Sequence, residues 1–95
     1  MENPLSKLAP QLFGEYPKQF IKLFENVSLA PGQDRDEIKV LLWKAYEFGI
    51  RHHEGQKRLS GKPYFSHCLA VANTLAMWRM DTITIIAGLL HDTIE

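Results

Sequence analysis

Apolar residues recur along this chain at intervals of three and four, the period of a helix face, and no stretch alternates with the period of a strand. Between residues 17 and 27 the repeating positions are Phe20, Leu23, Phe24 and Val27, with Pro17 suited to the first turn. Ahead of them, residues 5–13 read as a short helix. Ala30-Pro31-Gly32-Gln33 interrupts the pattern. Asp34 then stands as an N-cap with Glu37 three residues on, the spacing of a capping box. It opens a helix over 34–53 whose predicted buried stripe is Ile38, Leu41, Leu42, Ala45, Phe48 and Gly49. Residues 54–62 form a polar loop between glycines. Pro63 fits the first turn of a helix over 63–80, with Phe65, Leu69, Ala72, Leu75 and Ala76 inward. Asp81 caps a fifth helix with Ile83, Ile86, Ala87, Leu90 and Ile94 inward. Residues 92–95 carry no stop signal, so this helix is expected to run on, and the chain reads as part of a longer protein. The aromatic set Trp43, Tyr46, Phe48, Tyr64, Phe65 and Trp78 reads mostly as core. The expected fold class is all-α, with about five helices.

Composition narrows the setting. Ninety-five residues make one domain at most. Eleven basic and 11 acidic residues cancel, so no overall field draws in nucleic acid or a membrane surface. A single cysteine, Cys68, excludes a disulfide framework within the chain and reads as a packed hydrophobe. No secretory leader is expected from the first residues, and no apolar run approaches the length of a membrane span. A cytoplasmic protein is expected.

Chemistry concentrates in three places. His91-Asp92 closes the apolar run Ile85–Leu90, where an imidazole and a carboxylate are costly unless paired or bound. They suit a divalent metal; a solvent-facing helix end is the alternative. If the last two helices form a hairpin around Asp81, His67 lies 14 residues before the turn and His91 10 after it. At a rise of about 1.5 Å per residue their heights differ by roughly 6 Å, within reach of one ion. His67 as a satisfied core histidine is the alternative. The second place is a basic loop: Arg51, Lys57, Arg58 and Lys62 fall close together, with glycines at 55 and 61 that let backbone approach a ligand. A merely solvated charge run is the other reading. His52 and His53 are either further donors or helix-end histidines favoured by the dipole. The third is Glu95, one helical turn after His91 and able to take a proton from an attacking water.

The stretch His53-Glu54-Gly55-Gln56-Lys57-Arg58-Leu59-Ser60-Gly61-Lys62-Pro63-Tyr64-Phe65-Ser66-His67 resembles the signature H-x-G-Q-x-R-x-S-G-x-P-Y-x-x-H of the RelA/SpoT family. Ala87-Gly88-Leu89-Leu90-His91-Asp92-Thr93-Ile94-Glu95 resembles its A-x-L-L-H-D-T-[VI]-E, and the His67–His91 interval matches as well. The resemblance implies an HD-type domain, partial here, over 34–95, with 1–33 as an N-terminal helical segment. It implies hydrolysis of guanosine tetra- and pentaphosphate, (p)ppGpp, at the 3′-diphosphate, and a Mn2+ ion with His67, His91 and Asp92 as three of its ligands. It implies a nucleotide contact from Arg58, and Glu95 as the first member of an acidic catalytic pair; Ser60 in the loop and Tyr64 adjacent to it are further candidates for the nucleotide pocket. Two positions depart from the pattern: Leu59 stands where the family often has a second basic residue, and Cys68 where it usually has proline. An HD phosphohydrolase of another nucleotide and a non-catalytic helical module are the rival readings. The isolated chain is expected to be inactive, and to self-associate through apolar surface at Leu89, Leu90 and Ile94.

Overall fold

The computed structural model describes residues 16–93, which form four helices: α1 (Lys18–Glu25), α2 (Arg35–His52), α3 (Phe65–Met77) and α4 (Thr82–Leu90). The fold is all-α. Among the described residues the only β feature is an isolated antiparallel bridge between Lys57 and Pro63. The helix expected over 5–13 lies outside the described residues, as do Ile94 and Glu95.

Two of the four helices, α2 and α4, start where an aspartate side chain satisfies free first-turn amides. Pro17 is the N-cap of α1 rather than a first-turn residue. Its extended backbone (φ −58°, ψ 145°) precedes the helix, and its carbonyl accepts from Ile21 N at 3.1 Å. Asp34 caps α2, its Oδ1 accepting from Asp36 N at 2.8 Å and Glu37 N at 3.4 Å. Asp81 Oδ1 accepts from Thr84 N at 2.8 Å, and hydrogen bonding from Thr84 holds that carboxyl below its ordinary value. Pro63 precedes the N-cap Tyr64 instead of entering α3.

The core is aromatic at its centre. Phe20 of α1 meets Tyr46 of α2 edge-on at 5.4 Å, and Tyr46 meets Phe65 of α3 edge-on at 5.1 Å. Such pairs contribute about 0.5–1.5 kcal/mol each beyond their buried area, so three helices are tied through one aromatic row. The predicted stripe of α2 is corrected. Leu42, Ala45 and Gly49 are buried as expected, but Trp43 and Tyr46 join them, while Leu41 and Phe48 are exposed. Trp78 is exposed too. Large aromatics on α2 win the inward face because Phe20 and Phe65 offer ring partners there.

In α3 the expected face holds: Phe65, Leu69, Ala72 and Ala76 are buried, with Cys68 fully buried beside them. Burial, and then the charge of Asp92, push the Cys68 thiol up. In α4 the face is rotated from the expected one. Ile85, Gly88 and Leu89 are inward, Ile86 and Leu90 are partly buried against the core as expected, and Ile83 and Ala87 face out. Gly88 sets this rotation, because a Cβ there would lie 2.7 Å from Leu75 Cδ1 and 3.3 Å from Val71 Cγ1. Leu89 is therefore fully covered within the chain, which removes it from the apolar surface expected to drive self-association.

Arg79 makes the turn between α3 and α4 at φ 60°, a left-handed conformation in a residue with a side chain. Met80 N donates to Leu75 O and Arg79 N to Ala76 O, both at 3.0 Å, the paired bonds of a Schellman cap. Arg79→Gly relieves a penalty of about 1–2 kcal/mol and loses part of it to unfolded-chain entropy. A net stabilisation of about 0.5–1 kcal/mol is expected in urea denaturation.

A second glycine contact joins α2 to the start of α3. A Cβ at Gly49 would lie 2.5 Å from Phe65 Cε1, and that buried ring is held against Tyr46. Gly49→Ala is expected to destabilise the fold by about 1–2 kcal/mol, overpacking outweighing the gain in helix propensity. Urea denaturation measures it; an unchanged midpoint would show that the Phe65 ring can swing clear.

Candidate metal and nucleotide site

The site lies where the loop before α3 meets the end of α4. The loop is pinned by its own backbone: Gln56 N donates to His53 O, Arg58 N to Lys62 O at 2.9 Å, and Gly61 N to Arg58 O at 2.8 Å. Gly61, at φ 87°, supplies a left-handed corner that a side chain would strain. Tyr64 N donates to Gln56 O at 2.9 Å, closing the loop onto the first turn of α3. The result is a cleft of about 500 Å³ lined by Lys57, Arg58, Leu59, Ser60, Tyr64 and His67. Arg51, expected in the same basic cluster, instead pairs with Glu47 at 2.6 Å on α2 and does not line the cleft.

His67 is the link to the second half of the site. Its ring centroid lies 5.4 Å from that of His91, and one donor atom each from His67, His91 and Asp92 fall within 4.8 Å of one another. Donor atoms on one divalent ion lie roughly 3–4 Å apart, so the three could close on one ion with small side-chain movements. The hydrogen bonds around it also fit a cation. His91 Nδ1 sits 2.7 Å from Gly88 O and donates to it, which turns Nε2 toward Asp92 Oδ2 at 2.9 Å. A ring nitrogen and a carboxylate oxygen that close need positive charge at their contact, a proton or a metal ion. Donation of the far ring nitrogen to a backbone carbonyl is the usual way a ligating histidine is oriented.

The helix that brings His91 in stops sooner than expected. α4 ends at Leu90, His91 is its C-cap, and residues 91–93 form a turn in which Thr93 N and Oγ1 both donate to Leu90 O. Glu95, the expected proton acceptor, lies outside the described residues.

Two features had no signal in the residue pattern. Tyr64 OH donates to Asp92 Oδ2 at 2.8 Å, across 28 positions of sequence. His53 is 5% exposed, not a solvated helix-end residue, with Nδ1 2.9 Å from Gln56 Oε1 and its ring 4.8 Å from that of Tyr64. His52 is exposed and stacks on Phe48, and neither histidine belongs to the donor group.

A four-helix core that brings a His and a His-Asp pair to one point, beside a basic loop, defines a helical domain with a group that could hold a metal ion. Residues 45–95 match the family model described as HD domain. The chain belongs to that family. Within it, the similarity is to RelA/SpoT-type proteins. The chain is 54% identical over 55 residues to the bifunctional (p)ppGpp synthase/hydrolase RelA of Mycobacterium tuberculosis, covering 58% of this chain and 8% of that protein. It is 56% identical over 55 residues to a protein of Mycoplasma genitalium named "Probable guanosine-3′,5′-bis(diphosphate) 3′-pyrophosphohydrolase", covering 58% and 8%. It is 44% identical over 75 residues to GTP pyrophosphokinase rsh of Brucella melitensis, covering 79% and 10%. The chain thus spans a tenth or less of the length of these relatives. HD domains are metal-dependent, and His67, His91 and Asp92 are a group able to hold an ion. Among the described residues no helix is long and apolar enough to cross a membrane.

Proposed function

We propose that this chain carries the metal-holding and nucleotide-holding part of a (p)ppGpp 3′-pyrophosphohydrolase site. The observation that supports it most is that His67 belongs both to the donor group and to the wall of the basic cleft, so cation and phosphate would meet in one place. His67, His91 and Asp92 hold a divalent ion, Mn2+ by resemblance to the family. Bound there, the ion neutralises charge on phosphoryl oxygens and acidifies water. Arg58 forks onto phosphate or stacks on the guanine, with Ser60 and Tyr64 completing the wall. Glu95 takes a proton from the attacking water. The water oxygen joins the phosphorus next to the 3′-oxygen, the bond from that phosphorus to the 3′-oxygen breaks, and the 3′-oxygen takes a proton from solvent and leaves with GDP or GTP. Pyrophosphate is the other product. The setting is the cytoplasm.

The test is a chimera in which the matched 55 residues replace their counterpart in the Mycobacterium tuberculosis relative. The chimera is expected to release pyrophosphate from ppGpp with Mn2+ and to stop when the ion is chelated. The 95-residue chain alone is expected to release little, since the matched segment covers only 8% of that relative. A folded chimera with no turnover of ppGpp would overturn the reading. Leu59, fully exposed at the cleft wall where the family often has a second basic residue, favours one alternative: hydrolysis of a different nucleotide. The same chimera offered a nucleotide panel decides between them.

A further inference from the structure

Tyr64 belongs to two groups at once. It lines the cleft with Arg58 and Ser60, and its hydroxyl donates to Asp92 Oδ2 at 2.8 Å. We propose that Tyr64 is a positioning residue for the metal group: its phenol holds the Asp92 carboxylate in the ligand orientation and ties that orientation to the nucleotide loop. The inference deepens the function proposed above and rests on it.

Three observations carry it. First, Asp92 stands in the turn at 91–93, after α4 has ended, so helix hydrogen bonding no longer fixes its direction. Two side chains reach its Oδ2, His91 at 2.9 Å and Tyr64 at 2.8 Å. His91 is itself in the donor group, whereas Tyr64 is not. The tyrosine therefore plays the outer part that orients a ligating carboxylate.

Second, the phenol is aimed by its backbone. Tyr64 N donates to Gln56 O at 2.9 Å, and Tyr64 O accepts from His67 N at 3.0 Å. The main chain is tied to the loop on one side and to a candidate ligand on the other, which leaves the side chain little freedom of direction.

Third, the ring is backed by a residue that is costly to bury. His53 lies 4.8 Å from the Tyr64 ring, and its Nε2 is buried with no hydrogen-bond partner. The imidazole, fixed through Nδ1 to Gln56 Oε1, packs against the Tyr64 ring, and the His67 ring meets it edge-on at 6.1 Å.

Tyr64→Phe removes the hydroxyl and keeps the ring. The experiment titrates the 95-residue chain with Mn2+, following the paramagnetic resonance signal of the free ion, for wild type, Tyr64→Phe, Tyr64→Leu and Asp92→Ala. Circular dichroism checks each fold, and the visible spectrum of bound Co2+ reports the ligand set. Tyr64→Phe is expected to weaken Mn2+ binding about tenfold and to alter the Co2+ bands. Tyr64→Leu is expected to match it, because the lost hydroxyl is common to both. Unchanged Mn2+ affinity in Tyr64→Phe, with binding abolished in Asp92→Ala, would overturn the role of Tyr64 and leave the metal reading standing. A large loss in Tyr64→Leu with none in Tyr64→Phe would assign the effect to packing and overturn it as well. Undiminished binding in Asp92→Ala would remove the metal reading itself, and the inference with it.

Discussion

Asp92→Ala is expected to lower Mn2+ affinity by more than about a hundredfold, since even partners that only orient ligands change affinity by about 10–100-fold. Asp92 is the one carboxylate in the donor group and its one source of negative charge. Without it, two neutral imidazoles face the ion. The substitution also breaks the bond from Tyr64 and the contact with His91 in a side chain that is 14% exposed. Loss of hydrogen bonds to a charged group costs about 1.5–3 kcal/mol, so the metal-free variant should also unfold at lower urea. His67→Ala separates the two effects. It removes a donor without touching the Tyr64–Asp92 bond, and should lose affinity with a smaller change in stability. Calorimetric titration with Mn2+ reads the affinities. Affinity within about threefold of wild type in both variants would show that the ion, if bound at all, is held elsewhere.

How far this site was legible in the sequence depends on the kind of signal each residue carried. Asp34 and Asp81 are readable as caps because the capping bond is local: the acceptor sits two or three residues from its donor. The face of α3 is readable because its inward residues stand out against polar neighbours. The face of α4 is not, because its nine residues are nearly all apolar or small, and pattern cannot choose among them. What chooses is Gly88, the point where α4 comes closest to Val71 and Leu75, and closeness is a property of two helices together. Trp43 and Tyr46 are readable as core aromatics, but their place on the inward stripe of α2, where Phe20 and Phe65 meet them, is not. In the site, His67, His91 and Asp92 could be grouped from hairpin arithmetic, and Arg58 from the resemblance. The bond from Tyr64 to Asp92 and the burial of His53 behind Tyr64 depend on how the loop folds back on α3, and spacing does not carry that.

The nucleotide half of the site predicts a complementary result. Arg58→Ala is expected to weaken binding of GDP, used as the probe, by about tenfold or more, and to leave Mn2+ affinity nearly unchanged. The Arg58 backbone is held at both polar atoms, its N donating to Lys62 O at 2.9 Å and its O accepting from Gly61 N at 2.8 Å. Truncating the side chain should therefore leave the loop in place and remove only what reaches into the cleft. A guanidinium on phosphate makes charge-assisted, forked hydrogen bonds, and hydrogen bonds to charged groups are worth about 1.5–3 kcal/mol, a factor of roughly 10 to 150 in affinity. Arg58→Lys keeps the charge but loses the fork and the stacking plane, so it should recover only part of the binding. Raising salt should weaken wild type more than Arg58→Ala, because the lost attraction is the screened one. Arg58 is no part of the donor group, which shares only His67 with the cleft. Equal loss of GDP and Mn2+ binding in Arg58→Ala would mean that the loop had collapsed, and loss of neither would mean that the nucleotide is held by other residues. GDP titrations at two salt concentrations, paired with Mn2+ titrations on the same preparations, distinguish these outcomes.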